Sequence, residues 1–395
     1  MKININLIKT TPKNLDFNFC VFGNPNTEVK QWIDYHNLET ISSGKYTNII
    51  IPEDMDISDL FIEKEIYEYM DGFSPNLNKN LHVGHLSNLT IASTFQSMGI
   101  TKNVISIMGD TLDGSVDPDQ AFKNYEYICD LFKFKLGDVF YASKMKYKGD
   151  LLVDGTDKYL GTKVFNVNDG KVVGIKSDGS TSYFYQDVSL ASHLNNKTLY
   201  LTGFEQNNHF DQLEVLFPNN DHLGLGLVMI DGKKMSSSDG NIIFASEIID
   251  KFKGEFDDDQ VSVNILKGQI LKSKPDSVKN IHIKTIFNPK TSFGLYLSYT
   301  TARLHSAGSK PSKNIKDFNS NEMKYLYLKS KFNLTPNVLL KGLVELSGII
   351  NYMYMNHIIK DNIENQMKFQ PLLDDLVFGM EKLGMYYIKK LHKKT

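Results

Sequence analysis

Along the first three quarters of the chain apolar residues gather in short runs, and in the last quarter they spread to helical spacing. Up to about Asp59 the runs are short and broken by Gly, Pro and Asn; Asn48–Ile51 reads as a strand. Ile66–Met70 reads as another, ended by Asp71-Gly72 and Pro75. Leu86, Leu89, Ile91 and Phe95 then recur with a helical period up to Met98. Val104–Met108 is the next strand, and a right-handed crossover sets it parallel to the first. From Pro118 to about Lys176 the pattern turns to charges, turns and short strands, the texture of an insertion. The alternation resumes with a strand at Leu199–Gly203, helical spacing over Gln206–Phe217, and a strand at Leu225–Ile230 that ends in Asp231-Gly232. Beyond Phe293 helical segments follow at Leu295–His305, Asn321–Phe332, Pro336–Met355 and Pro371–Lys390. The expected fold is α/β: a Rossmann-type domain over residues 66–292, with an inserted subdomain at about 118–176, lies between a short N-terminal region, 1–65, and an α-helical bundle, 293–395.

Composition narrows this picture. The 395 residues are 41% hydrophobic and 23% charged, which excludes a disordered or fibrous chain. The length allows two or three domains, since single cores stop growing at roughly 250–300 residues. Cys20 and Cys129 are the only thiols, no Cys/His cluster has zinc spacing, and no apolar run approaches the ~20 residues of a membrane span. A reduced, soluble, cytoplasmic monomer without a structural metal is expected. The formal net charge is −2, against a surface that grips nucleic acid throughout. The charge is uneven, however: from Ser306 onward 14 Lys face 8 Asp and Glu, while the remainder holds 30 basic against 38 acidic residues. Arg303 is the only arginine.

Two stretches carry candidate chemistry. In Ser74–His85, His82 and His85 flank Gly84 at a strand-to-helix turn. A glycine there lets backbone approach a ligand, unpaired N–H groups at a helix start favour phosphate, and two imidazoles can donate to phosphoryl oxygens. Far downstream, Asp231–Gly240 sets Lys233 and Lys234 beside Ser236, Ser237 and Ser238 on a glycine-flanked loop, suited to clamping a polyphosphate. Read alone, the first also suits a capped helix with two surface histidines, and the second a solvated basic loop.

Together and in this order, His82-Val83-Gly84-His85 and Lys234-Met235-Ser236-Ser237-Ser238 resemble the two signatures of class I aminoacyl-tRNA synthetases. Ser74-Pro75-Asn76 with Lys79, Asp178–Tyr183 leading to Asp187, Gly203-Phe204-Glu205-Gln206 with His209 and Gln212, and Tyr299–Leu304 are similar to arginyl-tRNA synthetases in particular. The resemblance implies a class I catalytic domain that uses ATP and Mg²⁺ to form arginyl-adenylate and passes arginine to tRNA, a ligase of protein biosynthesis. It implies that His82, Gly84, His85, Lys234, Met235 and Ser236 bind ATP. Lys79 would substitute for a second signature lysine, which Ser237 replaces. Tyr183 and Asp187 would read the guanidinium; Asn76 and Gln206 would hold the α-amino end, with Ser74 and Asp71 beside the substrate. A carboxylate accepting two parallel N–H bonds suits a guanidinium on chemical grounds as well.

The likeness thins in places. Asp71 stands where the family usually has a glutamate, and Ser87, Gln186 and Ser238 stand at customary arginine positions. Both terminal regions are shorter than is usual for the family. Tyr325, Tyr327, Tyr352 and Tyr354 are either base-stacking platforms or core residues. Two other readings therefore stand beside the first: a trimmed paralogue that activates arginine or another amino acid for a non-tRNA acceptor, and a catalytically silent tRNA-binding protein.

Overall fold

The computed structural model describes residues 1–10, 18–52, 54–77, 80–110, 118–234, 243–256, 258–356 and 363–392. The chain divides into two compact units: Met1–Glu65 with Tyr296–Lys382 and Tyr387–Lys390, and Ile66–Leu295 with Leu383–Tyr386 and Leu391–Thr395.

In the first unit, strands β1 (Lys9–Thr10), β2 (Asn18–Phe22), β3 (Thr40–Ser43) and β4 (Tyr46–Ile50) form an antiparallel sheet ordered β1-β2-β4-β3. Helix α1 (Thr27–Tyr35), capped by the Asn26 side chain, buries Val29, Trp32 and Ile33. Phe19, Trp32 and Phe61 share one core with Tyr325, whose ring lies 5.1 Å from that of Phe19 and whose hydroxyl donates to the Ile8 carbonyl. The N-terminal region thus gains its core from the C-terminal helices, and Tyr325 is a core residue.

The second unit holds a five-stranded sheet in which every pair is parallel. Its strands are β5 (Tyr67–Asp71), β6 (Thr101–Met108), β7 (Asp138–Tyr141), β11 (Thr198–Gly203) and β12 (Asn220–Leu225). Helix α2 (Val83–Ser97) follows β5, α3 (Pro118–Leu131) precedes β7, and the antiparallel strands β8 (Leu152–Asp154), β9 (Lys163–Val167) and β10 (Gly170–Ile175) separate β7 from α4 (Tyr183–Leu194). Helix α5 (Asn207–Leu216) joins β11 to β12. The order β12-β11-β5-β6-β7 reverses direction between β5 and β11, and such a switch point opens a crevice beyond the carboxyl ends of the two strands. Asp71 and Gly203 stand at those ends.

Part of the expected insertion belongs to this sheet: α3 and β7 extend it, and only the segment after β7 departs. The charges along α3 masked its helical period, although Tyr125 and Cys129 on it, and Phe132 just beyond, are buried. The strand expected at Leu225–Ile230 divides. Gly226 accepts so close an approach that a Cβ on it would lie 2.1 Å from the Ser277 carbonyl oxygen. The chain turns there into β13 (Val228–Ile230), which pairs with β14 (Lys233–Lys234) and β15 (Lys279–Ile281) in a separate sheet. Between β14 and β15 lie α6 (Ala245–Glu255) and α7 (Asp259–Ile270).

Helix α8 (Phe293–Ser306) leads into the helices of the first unit: α9 (Asn321–Phe332), α10 (Asn337–Asn356) and α11 (Ile363–Lys382). Expected to start at Pro371, α11 begins at Ile363 and carries that proline inside. It stops at Lys382 and does not run to Lys390, because Gly384 takes a left-handed conformation, φ +66°, that ends the helix. Among the described residues no helix is long and apolar enough to cross a membrane.

Candidate active site

The crevice at the switch point holds two adjoining cavities of about 510 and 410 Å³, both within the second unit. Asp71, Ser74, Asn76, Thr202 and Gln206 line both. The first also takes in His82, Gly84, His85 and Leu225–Val228; the second takes in Tyr183, Gln186, Asp187 and His209.

The shared wall is built by the loop after β5. Asp71 is 6% exposed, and the Ser74 hydroxyl donates to its carboxylate while accepting from the Ile107 N–H at 2.8 Å. Burial pushes the Asp71 carboxyl up to about 7; the Ser74 bond opposes the shift, and the charge of Asp187 adds to it. Backbone pairing between Asn76 and Gly109, with Leu77 N–H on the Gly109 carbonyl at 2.9 Å, fixes the next turn.

Helix α2 starts in the first cavity. The Nδ1 of His82 accepts from the Gly84 N–H at 3.1 Å, and the Nδ1 of His85 accepts from the His82 N–H at 3.1 Å, so the two histidines form a reciprocal cap. The rings stack at 3.9 Å. A nitrogen that accepts a backbone N–H holds no proton. Each neutral ring therefore carries its proton on Nε2, where it is a donor. Ser87, one turn on, is 1% exposed, and its hydroxyl has no partner among the described residues.

In the second cavity Ser182 caps α4, accepting from the Tyr185 N–H at 3.1 Å, and sets Tyr183 and Asp187 one turn apart. Tyr183 is 73% exposed and stands at the rim. Asp187 lies 2.6 Å from the Nε2 of His209, whose ring meets Phe184 edge-on. Farther in, His222 touches the Thr202 hydroxyl at 2.8 Å and stacks on Phe210; burial lowers it to about 4, so it is neutral.

The structure therefore brings Asp71, Ser74, Asn76, His82, Gly84, His85, Tyr183, Asp187 and Gln206 together. Lys234 is exposed on β14, the hairpin strand that follows the Leu225–Val228 wall, and lines neither cavity. Lys79, Met235 and Ser236 lie outside the described residues, as do Ser237 and Ser238. Sequence reasoning gave His209 no role and did not single out Thr202 or Asn88. The Asp187–His209 pair had no local signal, since it joins two helices. No group of three His, Cys, Asp or Glu side chains among the described residues would hold a metal ion.

No family profile matches the chain. It is 28% identical over 160 residues to an arginine–tRNA ligase of Oenococcus oeni, a match covering 33% of this chain and 28% of that protein. With an arginine–tRNA ligase of Exiguobacterium sibiricum the identity is 25% over 325 residues, 66% of this chain and 56% of the other. The chain thus spans little more than half the length of that relative, and less of the first. The solved arginyl-tRNA synthetase of Thermus thermophilus superposes with a TM-score of 0.64 over 97% of this chain and 96% of that one, at 13% identity, a likeness of fold. A parallel α/β sheet with its crevice at the switch point and histidines at the start of α2 is the architecture of this chain, and its fold is similar to that of this solved class I synthetase. In sequence the chain is similar to arginine–tRNA ligases, and in fold to an arginyl-tRNA synthetase.

Proposed function

We propose that the chain activates arginine with ATP and transfers it to tRNA. The observation that carries this reading is the shared wall: a cavity with two imidazole donors and a cavity with two carboxylates meet at Asp71, Ser74, Asn76, Thr202 and Gln206. Compounds bound in the two would bring their reacting ends together there, which is the main service such a site renders.

In this reading the guanidinium lies between Asp187 and the Tyr183 ring, with Asp187 taking two N–H bonds. Asn76 and Gln206 hold the α-amino group, which turns the arginine carboxylate toward the first cavity. An oxygen of that carboxylate attacks the α-phosphorus of ATP; the bond to the bridging oxygen breaks, and pyrophosphate leaves with its electrons. His82 and His85 donate through Nε2 to phosphoryl oxygens as charge builds. Lys234, with Met235, Ser236 and Lys79, completes the phosphate contacts. In the second step a ribose hydroxyl at the tRNA 3′ end attacks the arginyl carbonyl and AMP departs. Magnesium, where it takes part, would be carried on the nucleotide phosphates and would help neutralise their charge.

The domain reading follows the same line: residues 66–292 perform catalysis, the segment after β7 is an insertion, and the helices after 293, on the basic C-terminal segment, face the tRNA. Tyr352, 73% exposed on α10, suits stacking on a base. A second reading, activation for a different acceptor, is favoured by Gln186 and the buried Ser87 at customary arginine positions, since each removes a cation from the site. Labelled arginine, ATP and bulk tRNA distinguish the two. Label on tRNA supports the main reading; adenylate formation with no label on tRNA supports the second.

A further inference from the structure

Tyr200, in the middle of β11, is fully buried, and its hydroxyl has no protein partner among the described residues. A buried hydroxyl left unpaired is costly and calls for a reason. Its surroundings supply one. In the sheet register Tyr200 stands beside Asp71 on one side and His222 on the other. Its ring packs on Phe210 at 4.9 Å, and Phe210 lines the second cavity. Asp187 and Asp71 are the charges that act on its hydroxyl. Asp187 is held on one side by His209, through Oδ2.

We propose that Tyr200 is a positioning residue of the amino-acid pocket: its hydroxyl donates to the Asp187 carboxylate when a guanidinium seats between Asp187 and the Tyr183 ring, and so fixes the plane in which Asp187 receives two N–H bonds. The inference rests on the arginine reading above. In the free protein burial, with a smaller contribution from the Asp187 charge, raises Asp71, and the Tyr200 hydroxyl has no protein partner among the described residues. A guanidinium on Asp187 offsets its charge and leaves the hydroxyl bond to set the carboxylate's plane. No bond to Tyr200 is made or broken in the reaction; its contribution is orientation.

Tyr200→Phe keeps the ring and its packing and deletes only the hydroxyl. ATP–pyrophosphate exchange should show KM for arginine raised roughly tenfold, the worth of about one hydrogen bond to a charged group, with KM for ATP unchanged and kcat within threefold. The unfolding midpoint of the free variant should equal or exceed that of the wild type, because an unpaired hydroxyl has gone, while the midpoint shift produced by arginine shrinks. A merely structural tyrosine leaves KM for arginine where it was, and that result overturns the assignment. If the variant has a lower midpoint, the arginine-to-ATP contrast in KM still decides: a rise for arginine alone supports the assignment, and an equal rise for both overturns it. Titrating wild-type protein with arginine in a calorimeter separates the two levels. Failure to bind arginine overturns the pocket reading and this inference together, whereas binding with an unchanged KM in the variant overturns only the role of Tyr200.

Discussion

Asp71 shows what a single residue bears at this site. Its carboxyl titrates near 7 when folded and as an ordinary carboxyl, near 4, when unfolded. Between those values the folded chain keeps a proton that the unfolded chain has lost. Stability therefore falls as pH rises through the window, and the full cost stands above about pH 7. Asp71→Asn, which can still accept from Ser74, should raise the stability of the free protein at pH 8 by on the order of 2–4 kcal/mol. The gain should vanish below about pH 4, and arginine activation should fall. Denaturant titrations at the two pH values check this; equal stability of variant and wild type at pH 8 would contradict it. The resemblance to arginyl-tRNA synthetases, and not residue types or spacing alone, pointed to Tyr183, Asp187, Asn76 and Gln206, which the structure sets along this crevice. Tyr200 and the Asp187–His209 contact were not legible, because they depend on which strands and helices become neighbours.

At the scale of elements β5, β6 and β11 were readable from their apolar runs, whereas β7 and β12 were not, since Asp138, Asn220, Asp221 and His222 break the apolar run there. Helix α7 was not either: Asn264 and Lys267 occupy fully buried positions and break the apolar period. The Lys267 side-chain nitrogen donates to the Ser93 hydroxyl at 2.8 Å and the Phe132 carbonyl at 2.9 Å, partners that no local pattern reveals. Helix α2 combines both lessons, since its histidines are caps as well as candidate phosphate donors. His82→Ala should cost about 1 kcal/mol of stability through the lost cap, together with a fall in adenylate formation of about 10²-fold or more. His82→Asn, which restores a capping oxygen without an imidazole, should recover the stability and leave the rate low. Recovery of both by asparagine would show that the imidazole serves the helix alone.

The whole molecule joins an acidic body to a basic C-terminal segment, and its first unit draws one core from both ends of the sequence. That arrangement escaped a linear reading, in which residues 1–65 and 293–395 stood as separate regions. Tyr325→Ala should destabilise the first unit by about 3–5 kcal/mol, seen as a lower unfolding midpoint. Affinity for arginine and ATP should be unchanged, because both cavities lie in the second unit; a weakened arginine affinity would contradict that separation. The central claim, that the two cavities of the crevice seat ATP and arginine side by side, is tested most directly by ATP–pyrophosphate exchange with each of the twenty amino acids, in the presence of bulk tRNA. The account predicts exchange with arginine alone, abolished in Asp187→Ala. Exchange driven by another amino acid, or arginine-dependent exchange that survives in Asp187→Ala, would contradict it.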